Sequence, residues 1–309
     1  MAEVNTYLDI KDLNKSIGDL ILFENASLSI AERQRIGIIG RNGTGKSTLL
    51  NIISGKEGYD SGEVVFRRGI KVGFLEQSPE YIPDQTVIEA CFNNGNEKAE
   101  LIYKYMECIS ANDHSRLSEL SNSMDISDAW NYEHRIKEVL SKLNISNFHE
   151  RMGNLSGGQR KRVALANVLL TEPDMLILDE PTNHLDLQMI EWLEKYLSQQ
   201  YITLLMVTHD RYFLDRVCNK IIELDNHQFY SYQGSYSYFI EKRQQRKDAE
   251  AAEVARANNL YRRELEWMRR MPQARGHKAK YREEAFADLE KLAHKRIENK
   301  STQLVVKSD

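Results

Sequence analysis

Residues 35–48 read Arg35-Ile36-Gly37-Ile38-Ile39-Gly40-Arg41-Asn42-Gly43-Thr44-Gly45-Lys46-Ser47-Thr48. The first six are a short apolar run of the kind that forms a buried strand, and residues 47–54 continue as a helix. Between them, Gly40, Gly43 and Gly45 free the backbone of Cβ atoms, so its amides can wrap an anion at a helix N-terminus. Lys46 adds a point charge and Ser47 a hydroxyl suited to Mg²⁺. The pattern is a P-loop, in which Gly40, Asn42, Gly43, Thr44, Gly45, Lys46, Ser47 and Thr48 are the expected phosphate-binding residues.

Two further stretches extend this chemistry. Residues 175–180, Met175-Leu176-Ile177-Leu178-Asp179-Glu180, are an apolar strand ending in two carboxylates. Asp179 can hold Mg²⁺ directly or through water, and Glu180 can orient and polarise an attacking water. An acidic pair at a helix N-terminus would explain the same residues in isolation, and the P-loop selects the catalytic reading. Leu155-Ser156-Gly157-Gly158-Gln159 opens a helix that runs on to Leu170, presenting amide donors and a favourable dipole to an anion. A second continuous apolar run, 203–207, is a central parallel strand that delivers His209 to the same sheet edge as Asp179.

Around these motifs the first forty residues read as short strands joined by turns, and 64–66 with 70–74 as a strand pair. Residues 86–145 carry apolar side chains at helical spacing (Leu101, Tyr105, Cys108, then Ile136, Leu140, Leu143), a helical subdomain inserted into an α/β core. The segment Tyr230-Ser231-Tyr232-Gln233-Gly234-Ser235-Tyr236-Ser237-Tyr238-Phe239 is read as a hairpin centred on its glycine and packed on the domain edge, in preference to a base-stacking surface. From residue 240 the chain is polar, and small or apolar residues recur in steps of three and four at Val254, Ala257, Tyr261, Leu265 and Met268, then at Ala285, Leu289 and Leu292. Two amphipathic helices are predicted, with Pro272 and Gly276 ending the first and permitting a reversal. A helix of about 30 residues would project about 45 Å. The expected organisation is 1–239 as a nucleotide-binding domain, its helical subdomain at about 86–160, and 240–309 as a basic helical linker.

Composition narrows the function classes. The chain is 41% hydrophobic and 28% charged, and no apolar run approaches the roughly 20 residues of a membrane span. Residues 1–6 lack the pattern of a secretory signal, so a cytoplasmic location and no membrane partner are expected. Cys91, Cys108 and Cys218 are scattered, which suits reduced packing residues better than a disulfide framework or metal site. The net charge of −4 hides an asymmetry: residues 241–309 hold 18 Lys and Arg against 12 Asp and Glu, and residues 1–240 hold 24 against 34. A basic appendage on an acidic body suggests a polyanion partner, although a solvated helical face would look the same.

In their order along the chain these motifs resemble the ATP-binding-cassette superfamily over roughly residues 7–238. The resemblance implies a P-loop NTPase cassette with a helical subdomain, followed by a long α-helical hairpin linker, with ATP and Mg²⁺ as ligands. It makes 40–48 the Walker A loop, Gln77 the Q-loop glutamine and a Mg²⁺ contact beside Ser47 and Asp179. It also makes 155–159 the signature, 182–186 the D-loop, and His209 the switch histidine acting with Glu180. Family members commonly stack an aromatic on adenine well before the P-loop, where this chain has Ile17, so loose base selectivity is expected.

The runs 180–186 (EPTNHLD) and 209–215 (HDRYFLD) resemble the ABC-F subfamily, soluble two-cassette proteins, and residues 265–286 resemble its Uup-type branch. That likeness implies a fragment, the first cassette plus linker of a longer protein. Each nucleotide is then clamped between the P-loop of one cassette and the signature of the other, so that this chain alone hydrolyses ATP poorly unless it forms a homodimer. It also implies an ATPase acting as a translation factor on the ribosome, its linker reaching ribosomal RNA or tRNA. Eight basic residues between 261 and 282 (Arg262, Arg263, Arg269, Arg270, Arg275, Lys278, Lys280, Arg282) suit contacts with RNA phosphates. A branched-DNA-binding genome-maintenance ATPase and the ATP-binding subunit of a membrane transporter are the competing readings.

Overall fold

In the computed structural model, residues 5–76, 81–92, 96–110, 114–199 and 201–270 are described. Arg35–Gly40 is strand β3, set within a six-stranded sheet between β7 (Thr203–Val207) and β8 (Lys220–Asp225) and parallel to both. Beyond β7 come β6 (Met175–Asp179) and β5 (Val72–Leu75), also parallel, while β9 (Gln228–Gln233) closes the other edge antiparallel to β8. Every residue of β6 and β7 is buried, which is why both read as unbroken apolar runs: a parallel strand in mid-sheet is covered on two faces.

Those faces belong to different cores. Leu176, Leu178, Leu204 and Met206 point into one that includes residues of α5 (Trp130–Lys142), α6 (Gly157–Leu170), α7 (Leu187–Gln199) and α8 (Arg211–Val217). Ile36, Ile38, Ile177, Leu205 and Val207 point into the other, with Leu49, Leu50, Ile52 and Ile53 of α1 (Lys46–Ile53) and a second sheet. On the first face Gly37 is required for packing, since a Cβ there would collide with Leu214 of α8. The second sheet is antiparallel, in the order β2 (Leu20–Ala31), β1 (Thr6–Ile17), β4 (Ser61–Phe66). It buries Leu8, Ile10, Leu13, Phe23 and Ile30, each contributing about 1.5–3 kcal/mol when fully removed from water.

Three expectations are corrected. The first strands are not short: β1 and β2 are 12 residues each. Polar residues inside them mark register shifts, with Asp12 and Asn25 at φ +48° and +47°, because a bulge kinks and twists a strand without ending it. Residues 64–66 and 70–74 are not a pair, for β4 joins β1 and β5 joins β6. A continuous apolar strand such as β6 offers a better two-sided partner to β5 than the half-exposed β4 does. The aromatic hairpin does not turn at Gly234 but ahead of the predicted segment, at Asn226 and His227, whose φ values of +49° and +63° are those of a tight primed turn matching strand twist. Gly234, at φ +130°, instead ends β9 just ahead of α9 (Tyr236–Arg270).

The helical insertion is present as α2 (Val87–Phe92), α3 (Glu97–Ser110), α4 (His114–Ser127) and α5, ahead of α6. By contact, the chain divides into two compact units, Met1–Phe239 and Ile240–Asp309. Helix α9 has 35 residues, or about 52 Å at the usual rise. The reversal at Pro272 and Gly276, the second amphipathic helix and Arg275, Lys278, Lys280 and Arg282 lie outside the described residues. No described helix is long and apolar enough to cross a membrane.

Candidate functional site

Register brings the motif-bearing loops to one end of the six-stranded sheet. Val207 stands opposite Asp179 on one side and Ile38 on the other, so the chain leaves β3, β6 and β7 at the same level. Ligands of open α/β sheets bind at this carboxyl end. Residues 40–48 run from the end of β3 through a loop into the first turn of α1, the loop turned by hydrogen bonds from the Thr44 amide and hydroxyl to Arg41 O at 3.3 and 2.8 Å. Gly43 and Gly45 have φ of +80° and +94°, and Gly45 caps α1. At Gly45 a Cβ would also meet Phe23 Cζ at 3.0 Å, so the loop fits only a residue without a side chain.

Lys46 Nζ is held inside this loop, donating to the carbonyls of Gly40 at 2.9 Å and Arg41 at 3.0 Å. Burial lowers its pKa, opposed by the charges of Glu180 and Asp179. Asp179 is only 7% exposed. Burial raises its pKa, while a hydrogen bond from Ser47 and the charges of Lys46 and Lys161 pull it down. Ser47 and Asp179 offer a hydroxyl and a carboxylate at this sheet end, oxygen donors of the kind that would suit Mg²⁺. Asn42, Gly43 and Ser47 are exposed and Thr48 is half-buried, so the loop is open to a ligand on its outer side.

Glu180 follows β6 with φ +50°, a left-handed conformation that costs a non-glycine residue on the order of 1–2 kcal/mol. Two contacts hold it there: its amide donates to Val207 O at 2.8 Å, and its carboxylate receives the His209 amide at 3.3 Å. Burial raises the carboxyl pKa, and the neighbouring His209 side chain, 3.5 Å away, is the largest opposing influence. Backbone strain held by such contacts is typical of catalytic positions.

Lys46, Ser47, Asp179, Glu180 and His209 thus form one cluster. The signature residues make their own local contacts. Ser156 caps α6 in a reciprocal box with Gln159, at 3.2 Å and 2.9 Å. Gly157 is exposed, and Gly158 faces His184, since a Cβ on it would lie 3.4 Å from His184 Cβ. Among the described residues no hydrogen bond joins 156–159 to 40–48. Gln77 lies outside the described residues. Ile17 is 53% exposed beside Leu20 at 56%, at the tip of the β1–β2 hairpin.

The sequence reading missed two contributors. Lys161, on α6, lines the same cleft as Glu76, Arg162, Asp179 and Glu180 and acts on the charge of Asp179. Its signal was the basic triplet Arg160-Lys161-Arg162 just inside a helix that also opens with an anion motif. Thr208, 4% exposed, was hidden as the last residue of an apolar run. A buried hydroxyl between a strand and a candidate catalytic histidine was the available clue.

This is the fold of a P-loop ATP-binding cassette, and the chain belongs to the ABC transporter family, whose model matches residues 23–183. A second model of the same description matches 222–304. Among curated relatives, the uncharacterized ABC transporter ATP-binding protein YfmR of Bacillus subtilis is 42% identical over 89% of this chain and 45% of its own length. The energy-dependent translational throttle protein EttA of Mycobacterium tuberculosis is 35% identical over 93% of this chain and 52% of its own. The chain therefore spans about half the length of the curated relatives it matches. A solved dimeric ATP-binding cassette in a post-hydrolysis state, bound to ADP and Pi, is 26% identical with a TM-score of 0.54, over 73% of this chain and 98% of that one.

Proposed function

We propose that this chain is the first cassette and linker of an ABC-F type ATPase that couples MgATP binding and hydrolysis to work on the ribosome. The observation that carries the ATPase reading is the cluster of Lys46, Ser47, Asp179, Glu180 and His209 at one sheet end beside a glycine loop. Lys46 and the loop amides of Gly43, Thr44, Gly45, Ser47 and Thr48 bind the phosphates, with Gly40 and Asn42 shaping the loop. Ser47, Asp179 and, by family likeness, Gln77 hold Mg²⁺. The ion supplies charge neutralisation at the transferring phosphate. Glu180 orients the attacking water and accepts its proton, while His209 steadies Glu180 and faces the terminal phosphate.

By family likeness, the signature residues Ser156, Gly157, Gly158 and Gln159 serve a nucleotide held by a second cassette. That cassette lies in a longer chain, as the half-length match to relatives supports, or in a second copy of this one. The translation assignment rests on relatives named as translational throttles, whose likeness extends through α9 as well as the cassette. Arg262, Arg263, Arg269 and Arg270 on α9 suit contacts with the phosphates of ribosomal RNA or tRNA. The Uup-type wording of 265–286 refines the subfamily and leaves branched DNA as the competing polyanion; a cytoplasmic protein is expected in either case.

The test is co-sedimentation of the full-length Glu180→Gln protein with ribosomes, with and without ATP, against an excess of branched DNA. ATP-dependent pelleting that DNA does not compete away supports the reading, and pelleting abolished by branched DNA supports the genome-maintenance alternative.

A further inference from the structure

Two polar groups that meet beside α6 are each half-used. Asn167, on α6, donates from Nδ2 to Ala90 O at 3.2 Å and to Tyr81 Oη at 3.4 Å, while its buried Oδ1 has no hydrogen-bond partner. A side-chain amide offers two donors and one carbonyl acceptor, and a phenol donates once. Tyr81 therefore accepts from Asn167, and among the described residues no acceptor takes its proton. Turning the amide over would not mend this, because Oδ1 would then face the carbonyl of Ala90, acceptor against acceptor. A small shift of Tyr81 along the amide does: the long bond from Nδ2 gives way to a Tyr81 O–H bond to Oδ1, and Ala90 O keeps its donor.

Tyr81 is tied to the signature by two routes. The first is backbone: the Gly153 amide donates to Pro83 O at 2.9 Å and the Met152 amide to Gln85 O at 2.8 Å, and Gly153 lies just ahead of Ser156 in the chain. The second is Asn167 itself, on the helix that Gly157 begins. Tyr81 and Pro83 also line one cleft of about 240 Å³ with Gly157, Arg160 and Lys161. The far end of α6 is pinned, since Leu170 O accepts from Tyr132 Oη at 2.9 Å and Asn96 Nδ2 at 3.2 Å, and Leu169 O from Tyr196 Oη at 3.3 Å. A move of Tyr81 onto Oδ1 is therefore felt at the signature end.

We propose, on the reading of 155–159 as the signature of an ATPase, that Tyr81 and Asn167 are positioning residues that set the signature in one of two places. The structure holds the open place, with Oδ1 unpaired. The closed place, with Tyr81 donating to Oδ1, is the one that engages nucleotide. Because the closed place gains the missing bond, the nucleotide has less of the change to drive by its own differential binding.

A structure of the full-length Glu180→Gln protein trapped with MgATP tests this. With nucleotide on the signature, Tyr81 Oη should lie within about 3.0 Å of Asn167 Oδ1, the usual reach of an O–H···O bond. Steady-state hydrolysis by the full-length protein with Glu180 intact gives a second readout. Tyr81→Phe keeps the ring and removes the donor, so it should lower kcat about five-fold or more, the scale of one hydrogen bond, with the unfolding midpoint unchanged. In an Asn167→Leu background the same change should leave kcat as it is, since its partner is gone. A trapped structure with no nucleotide at 156–159 removes the signature reading and this inference with it. Nucleotide there with Oη and Oδ1 still unbonded, Tyr81→Phe at wild-type kcat, or its full effect in the Asn167→Leu background overturns the positioning role and leaves the signature reading standing.

Discussion

His209 meets Glu180 twice: its backbone amide donates to Oε2 at 3.3 Å, and its Nε2 lies 3.5 Å from Oε1. One residue therefore fixes both oxygens of the carboxylate, from a loop that leaves the strand next to the one bearing Glu180. The imidazole is 65% exposed and the carboxylate 14%, so the pair points from the sheet end toward solvent, on the side where a phosphate chain would lie. Glu180 is strained and gripped, and His209 is free on its outer face to meet a ligand.

Lys46 is the cation held inside the loop expected to bind the phosphates. Replacing it with alanine removes a charge-assisted contact that is made only with nucleotide bound, while its present partners are two loop carbonyls. Lys46→Ala should weaken MgATP binding by about ten- to a hundred-fold with little change in unfolding midpoint, read by equilibrium titration with a fluorescent ATP analogue and by thermal melting. Undiminished affinity would remove Lys46 from the site.

Gly43 and Gly45 separate conformational from packing requirements. Both have positive φ, but a Cβ at Gly43 meets open space whereas one at Gly45 presses on Phe23 and Leu22. Gly43→Ala should cost about 1 kcal/mol of unfolding free energy, from backbone strain alone. Gly45→Ala should cost about 2 kcal/mol or more, because overpacking is added. Denaturant unfolding of the two variants gives the comparison, and equal costs would contradict it.

Ile17 and Leu20 offer an exposed aliphatic surface where the family commonly stacks an aromatic on the base. Discrimination between ATP and GTP should be small, and Ile17→Tyr should tighten both nucleotides by several-fold, since base stacking on an aromatic contributes about 1–3 kcal/mol. Competition binding of the two nucleotides checks this. A strong native preference for ATP would mean that other residues read adenine.

Burial pushes the thiols of Cys91 and Cys218 up to about 12. The sign is that of a group whose charged form is disfavoured by desolvation, so at pH 8 both remain protonated and inaccessible. A thiol reagent at that pH should modify Cys108 alone in the folded chain and all three cysteines after denaturation, counted by mass spectrometry.

The cassette and its site were legible in the sequence wherever chemistry demands particular residue types. The P-loop glycines, the acidic pair after an apolar strand and the Ser156 cap were each identifiable because substitution there is physically expensive. Less legible was anything decided by long-range pairing. Nothing local in Val72–Leu75 says that it joins β6 rather than its neighbour β4, and nothing local in β1 distinguishes a bulge at Asp12 from a strand end. The turn at Asn226 and His227 was missed because Gly234 is the louder signal, although paired left-handed residues suit Asn as well as Gly. Thr208 gave only a weak signal for a related reason: its side-chain partner Thr182 is 26 positions away.

The central claim is that Glu180 activates water at a MgATP site built on residues 40–48. Its most direct test is single-turnover hydrolysis of radiolabelled ATP by full-length Glu180→Gln beside wild type, with bound nucleotide measured in the same samples. The account predicts that the variant retains ATP on the protein and releases phosphate at least about a hundred-fold more slowly, the scale for removing a group that acts in proton transfer. Phosphate release at the wild-type rate, with ATP bound, would contradict it.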